Sequence, residues 1–169
     1  MIQTAILAFV PLCLAAAAIS DVMTMTIPNR VSLLLAVAFL AAAPLSGMPL
    51  ADMGMSLAAG AAVFGVCFGL FAANVMGGGD AKLLTATALW FGWSESLVVY
   101  LLYVGFLGGT ITLLILFIRA HADHVLALGI RLPASLSTAR KIPYGLAIGL
   151  AGFLMWPKSP LFALLLAAG

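Results

Sequence analysis

Charge is what this sequence has least of. Seven Lys+Arg and five Asp+Glu serve 169 residues, 7% of the chain, while 65% of the side chains are hydrophobic. A soluble domain carries about 25% charged residues to hydrate its surface, so water is excluded as the solvent for most of this one. Strict apolar–polar alternation is absent as well, which excludes a transmembrane β-barrel. Cysteine is scarce: Cys13 and Cys67 lie inside apolar runs and read as small buried hydrophobes. No paired-cysteine motif occurs, so no thiolate metal site is expected. The first apolar run lacks a basic n-region and further runs follow it, so it reads as a span and not as a cleaved signal peptide. A net charge of +2 gives no reason to expect a nucleic-acid partner.

What is present is a series of apolar runs of helical-span length. Breaks at charge, proline and glycine divide the chain into six candidate transmembrane helices, roughly 2–20, 31–43, 52–74, 81–93, 96–118 and 142–156. The expectation is an all-α, polytopic membrane protein, one domain over residues 1–169, with lipid as its main neighbour. The apolar tail 159–169 is too short to cross and reads as a re-entrant or interfacial segment.

Six spans put Arg30, Lys82, Arg119, Arg131, Arg140 and Lys141 on one side and leave Lys158 on the other. Basic residues mark the cytoplasmic side, so both termini are expected outside. Trp90, Trp93 and Trp156 then fall at outer helix ends, where indoles favour the membrane interface. Among the acids, Asp52 and Glu95 read as outer helix-start charges without chemistry. Asp21 closes the first span and Asp80 opens the fourth, both on the cytoplasmic side. The fourth span offers only about 14 residues, roughly 21 Å, against a hydrocarbon core of roughly 30 Å. Asp80 is therefore expected below the membrane surface, where a carboxylate is costly and seldom kept without a use.

Asp80 follows three glycines in "MGGGDAKLL". Gly77, Gly78 and Gly79 are expected to take backbone angles closed to other residues, or to admit another chain closely. The bland reading is a helix-capping aspartate, worth about 1 kcal/mol. Asp21, in "SDVMTMTIPNR", supplies a second carboxylate. Two carboxylates in one site cannot both ionise easily, so one keeps its proton. The ionised member then deprotonates water while the other polarises a carbonyl. Lys82, two residues after Asp80, does not share its helix face and reads as a snorkelling anchor, or else as an electrostatic partner of the pair.

These residues carry a resemblance. "MGGGDAKLL" resembles the Gly-x-Gly-Asp motif of the type IV prepilin peptidase family, with Gly77, Gly79 and Asp80 in its places. "DVMTMTIPNR" resembles the segment around that family's first catalytic aspartate. "KIPYGLAIG" is similar to its Pro-Tyr-Gly stretch near the start of the last span. The resemblance implies a membrane-embedded aspartic endopeptidase, free of metal and other cofactors, that removes leaders from prepilins or pseudopilins at the cytoplasmic face of a bacterial inner membrane. It implies Asp21 and Asp80 as the catalytic pair, and Lys141, Pro143, Tyr144 and Gly145 as residues lining the site. Longer family members carry a cytoplasmic insert after the first span, often with paired cysteines, and also methylate the new N-terminus. Here residues 21–30 make a short link without cysteine. That implies the short branch serving Tad-type pili and Flp pilins, without methyl transfer. An archaeal preflagellin peptidase shares the plan.

Three other features have readings without chemistry. His121, Asp123 and His124 make an incomplete ligand set and read as part of a solvated, lipid-facing loop over 119–141. The glycines of "GFLGG" and "GLAIGLAG" read as helix packing. A channel or transporter would spread its acids through the membrane depth; here both candidate acids are expected on one side.

Overall fold

The computed structural model describes residues 2–121 and 142–167. Every regular element among them is helical, as the composition requires. The elements are α1 (Ile2–Thr24), α2 (Asn29–Leu45), α3 (Leu50–Ala72), α4 (Gly78–Phe91), α5 (Glu95–Ala120) and α6 (Tyr144–Met155). A 3-10 turn (Trp156–Lys158) leads into α7 (Pro160–Ala167). Lys141, Asp123 and His124 lie outside the described residues.

α4 is the centre of the bundle. Leu83, Ala88, Trp90 and Phe91 are all buried, because α2, α3 and α6 pack around this short helix. α1 and α5 pack in turn on α6. The α1–α6 approach depends on small residues: a Cβ on Gly149 would lie 2.9 Å from the Leu14 carbonyl oxygen, and one on Gly152 would lie 2.7 Å from Leu14 Cδ1. The packing role expected for these two glycines is what the structure shows. The outer surface is apolar, with Leu12, Leu33, Val66, Leu102 and Phe106 exposed. In lipid such a surface carries no hydrophobic cost.

By length and composition, three helices can cross a membrane: Gln3–Thr24, Leu50–Ala72 and Glu95–Ala120. The pair Tyr144–Lys158 and Pro160–Ala167, bent by 46°, makes a fourth if it is one span. α2 and α4, with 17 and 14 residues, are shorter. The tail beyond the bend is a packed helix, with Leu161 and Leu165 buried against the bundle.

Two expectations need correction. The first helix runs past position 20 to Thr24, so Asp21 stands within its last turn and does not close it. Polar side chains support the extension: Thr24 Oγ1 donates to the Ser20 carbonyl at 2.8 Å, and Ser20 Oγ to that of Thr26 at 2.9 Å. The helix stops where Met25 takes a left-handed φ of 56°. The tryptophans also differ. Only Trp93 is exposed; Trp90 and Trp156 are core residues. Each indole N–H finds a backbone acceptor, Leu35 O for Trp90 and Leu7 O for Trp156, both at 3.1 Å. The second acceptor has a simple origin. Pro11 inside α1 has no N–H, so the carbonyl four residues earlier, that of Leu7, loses its helical donor.

Candidate active site

Five helix ends meet at one end of the bundle: those that finish α1 and α3 and those that begin α2, α4 and α6. Asp21 comes from the last turn of α1 and Asp80 from the first turn of α4. Both line one cleft of about 210 Å³, together with Ile27, Asn29, the three glycines and Ile142. Asp80 also faces a second, larger cleft of about 600 Å³, bordered by Phe71, Asn74, Thr112 and Tyr144. The half-buried Asp80 thus stands where two hollows meet. The two acids, expected on one side, border the same cleft.

Asp21 is nearly covered, with 6% of its surface exposed. Its Oδ2 accepts a hydrogen bond of 2.7 Å from the backbone N–H of Gly145. That donor is free because it belongs to the first turn of α6, where backbone N–H groups have no helical acceptor. The positive end of the α6 dipole also points at the carboxylate. Pro143 precedes this turn as its N-cap, is buried, and needs no acceptor of its own. Gly145 therefore does more than line the site. It holds one of the acids.

Of the two roles expected for the glycines before Asp80, the structure shows close approach and not unusual backbone angles. None of them takes a positive φ: Gly77 is extended at −71° and Gly78 and Gly79 are helical. Space is what they supply. A Cβ on Gly79 would sit 3.2 Å from Ile27 Cβ, and one on Gly77 would sit 2.6 Å from Asp80 Oδ2. A Cβ on Gly145 would lie 2.7 Å from Ile27 Cδ1. The Ile27 side chain is thus wedged between the starts of α4 and α6, and glycine on both helices lets it in.

Lys82 is exposed, and its Nζ donates to Asn29 Oδ1 at 3.0 Å. This bond ties the second turn of α4 to the first residue of α2, so Lys82 contacts a wall residue of the smaller cleft. Tyr144 borders the larger cleft beside Asp80. Its ring lies on Gly108 of α5 so closely that a Cβ there would overlap the phenol carbon and oxygen. Gly108 was expected to serve packing alone; in the fold it seats a cleft residue. Gly105 and Gly109 on the same helix have open space around them. Ile27, Asn29, Asn74 and Thr112 are cleft residues to which sequence reasoning assigned no role in the site. The Ile-Pro-Asn stretch was a visible signal for the first two, and nothing local marks the others. Among the described residues, no three His, Cys, Asp or Glu side chains are grouped to hold a metal ion.

An all-helical bundle with an apolar outer surface and two carboxylates on one terminal cleft defines a membrane protein with an acidic site. Its kinship is narrower: the chain belongs to the type IV leader peptidase family, whose model matches residues 8–130. No curated protein and no solved structure matches it. The protein is thus a membrane peptidase of the kind that processes prepilins. The matched range contains both acids but ends before α6.

Proposed function

We propose that the chain is an aspartic endopeptidase in which Asp21 and Asp80 form the catalytic pair. The observation that carries this reading is the shared cleft: two carboxylates, from segments far apart in sequence, line one hollow of about 210 Å³. In such a pair one carboxyl is ionised and the other protonated. The ionised group takes a proton from water, whose oxygen adds to the scissile carbonyl carbon. The protonated group donates a hydrogen bond to the carbonyl oxygen. Collapse of the tetrahedral species breaks the C–N bond, and the amine leaves with a proton returned by the pair. Neither step calls for a metal.

The substrate is a prepilin or pseudopilin whose basic leader ends where its apolar helix begins. Its scissile bond would reach the membrane edge, and the gathering of helix ends around the acids supports a site at that level. The distribution of Lys and Arg supports a cytoplasmic site in a bacterial inner membrane, with the N-terminus outside. The tryptophans lend this orientation less than expected, since two of the three are core residues. Six crossings remain our reading. α2 exposes Leu33, Leu34, Val37 and Leu40 as a lipid-facing helix would, and α4 is enclosed by protein, so its shortness carries no penalty in lipid. The brief link from Asp21 to Arg30 supports the Tad/Flp-type branch without N-methyl transfer.

The test is cleavage of a co-expressed pilin precursor by wild type, Asp21→Asn and Asp80→Asn, with membrane levels matched. Both variants are expected to lose cleavage by on the order of 10³-fold or more, because members of a catalytic unit fail together. A chelator should leave the wild-type rate unchanged. Near wild-type cleavage by either variant would make that aspartate structural and end the paired-acid reading.

A further inference from the structure

α3 and α5 barely touch each other among the described residues, although both lie beside α4. Between them runs a groove of about 380 Å³, floored by Leu84 of α4 and walled by Val63 and Val66 on one side and by Val98 and Leu101 on the other. It reaches Trp93 at one end. At the other end Leu70 and Met76 belong both to the groove and to the larger cleft beside Asp80. The groove and the acidic site are one continuous surface.

We propose that this groove docks the apolar helix of the substrate, the part of the chain that follows the scissile bond; the inference rests on the peptidase reading above. The chemistry of the two ends selects the occupant. The groove offers almost no hydrogen-bonding partner, so whatever backbone lies in it must satisfy its own polar groups, and in lipid an α-helix does so. Recognition there comes from close packing of side chains. The cleft at the Asp80 end is different: Asn74, Thr112 and Tyr144 bring polar groups. A backbone unwound for cleavage can find partners there. From Asp80 to Trp93 the floor helix spans roughly 20 Å, room for about three to four turns of a docked helix. A lipid also fits, its acyl chain in the apolar part and its headgroup toward the polar end. Only a substrate helix continues into a scissile bond beside Asp80, and cross-linking separates the two.

The experiment uses the full chain in phosphatidylethanolamine–phosphatidylglycerol vesicles. Val66→Trp and Val98→Trp fill the groove from opposite walls, at exposed positions away from both acids. Two substrates are compared: a pilin precursor with leader and apolar helix, and a short water-soluble peptide that spans the cleavage site without the helix. Each tryptophan is expected to lower kcat/KM for the precursor at least tenfold, mainly through KM, and to leave the short peptide within about twofold. Unchanged precursor cleavage, or equal losses on both substrates, would overturn the docking site while the peptidase reading stood. A wild type that cuts neither substrate would overturn the peptidase reading, and the groove with it. A benzophenone side chain placed at position 98 in the Asp80→Asn background gives a second readout. Adducts with the precursor's apolar helix are expected; adducts with lipid alone would overturn the proposal.

Discussion

The backbone N–H of Gly145 donates to Asp21 Oδ2 at 2.7 Å, joining two residues 124 positions apart. The contact explains why position 145 carries no side chain. A methyl group there would stand 2.8 Å from the same oxygen and 2.7 Å from Ile27 Cδ1. Either α6 retreats, and the hydrogen bond lengthens, or the carboxylate turns away. A hydrogen bond to a charged group contributes about 1.5–3 kcal/mol. Gly145→Ala is therefore expected to cut kcat by roughly 10- to 100-fold, with membrane levels maintained. Gly109→Ala, at a glycine with nothing within 4 Å, should stay near the wild-type rate. Prepilin cleavage by the two variants side by side checks the claim. Equal activity would mean that Asp21 needs no donor from α6.

The two acids were legible in the sequence because charge is so rare in it. Asp21 and Asp80 each interrupt apolar surroundings, and alternation of six spans alone puts them on one side. The glycine triplet was legible as a feature and its mechanism only as a pair of alternatives: letters cannot separate a glycine kept for its φ from one kept for space. Gly79 and Gly145 face the same isoleucine from two helices, and that fact exists only after folding. The tryptophans failed for a related reason. An indole near a helix end reads as an interfacial anchor unless the acceptor that draws it inward is known, and the acceptor for Trp156 lies on α1, 149 positions away. Local chemistry was readable, and partners across the bundle were not.

Gly108 and Tyr144 form a second long-range pair on which the larger cleft depends. With Gly108 replaced by alanine, the phenol ring has to leave its seat, and the space open to it includes the cleft that it borders with Asp80. Gly108→Ala is expected to lower kcat/KM for precursor at least tenfold. In a Tyr144→Ala background the same methyl has no ring to displace, so its added effect should fall below about twofold. Such non-additivity is the signature of two residues in contact. Full additivity in that double-mutant cycle would show that Gly108 acts on something other than Tyr144.

Trp156 and Pro11 make a compensating pair that bears on stability alone. Pro11 deprives Leu7 O of its helical donor, and the Trp156 N–H replaces it at 3.1 Å. Trp156 is almost wholly buried, with its ring set edge-on against Trp90 and Phe162. Trp156→Phe keeps an aromatic ring but removes the N–H, which leaves a carbonyl inside the bundle without its donor. The cost of leaving such a part-buried carbonyl unpaired is at most about 1–3 kcal/mol, the range for a buried one. Pro11→Ala restores an N–H at the position from which an ordinary helix would supply it. The double variant Pro11→Ala, Trp156→Phe should therefore unfold at a higher temperature in detergent than Trp156→Phe alone. Recovery of at least half of the lost stability is expected, because the carbonyl regains a donor while only the packing of the larger ring is missing. No recovery would mean that Trp156 stabilises the bundle through its ring contacts and that its hydrogen bond to α1 is incidental.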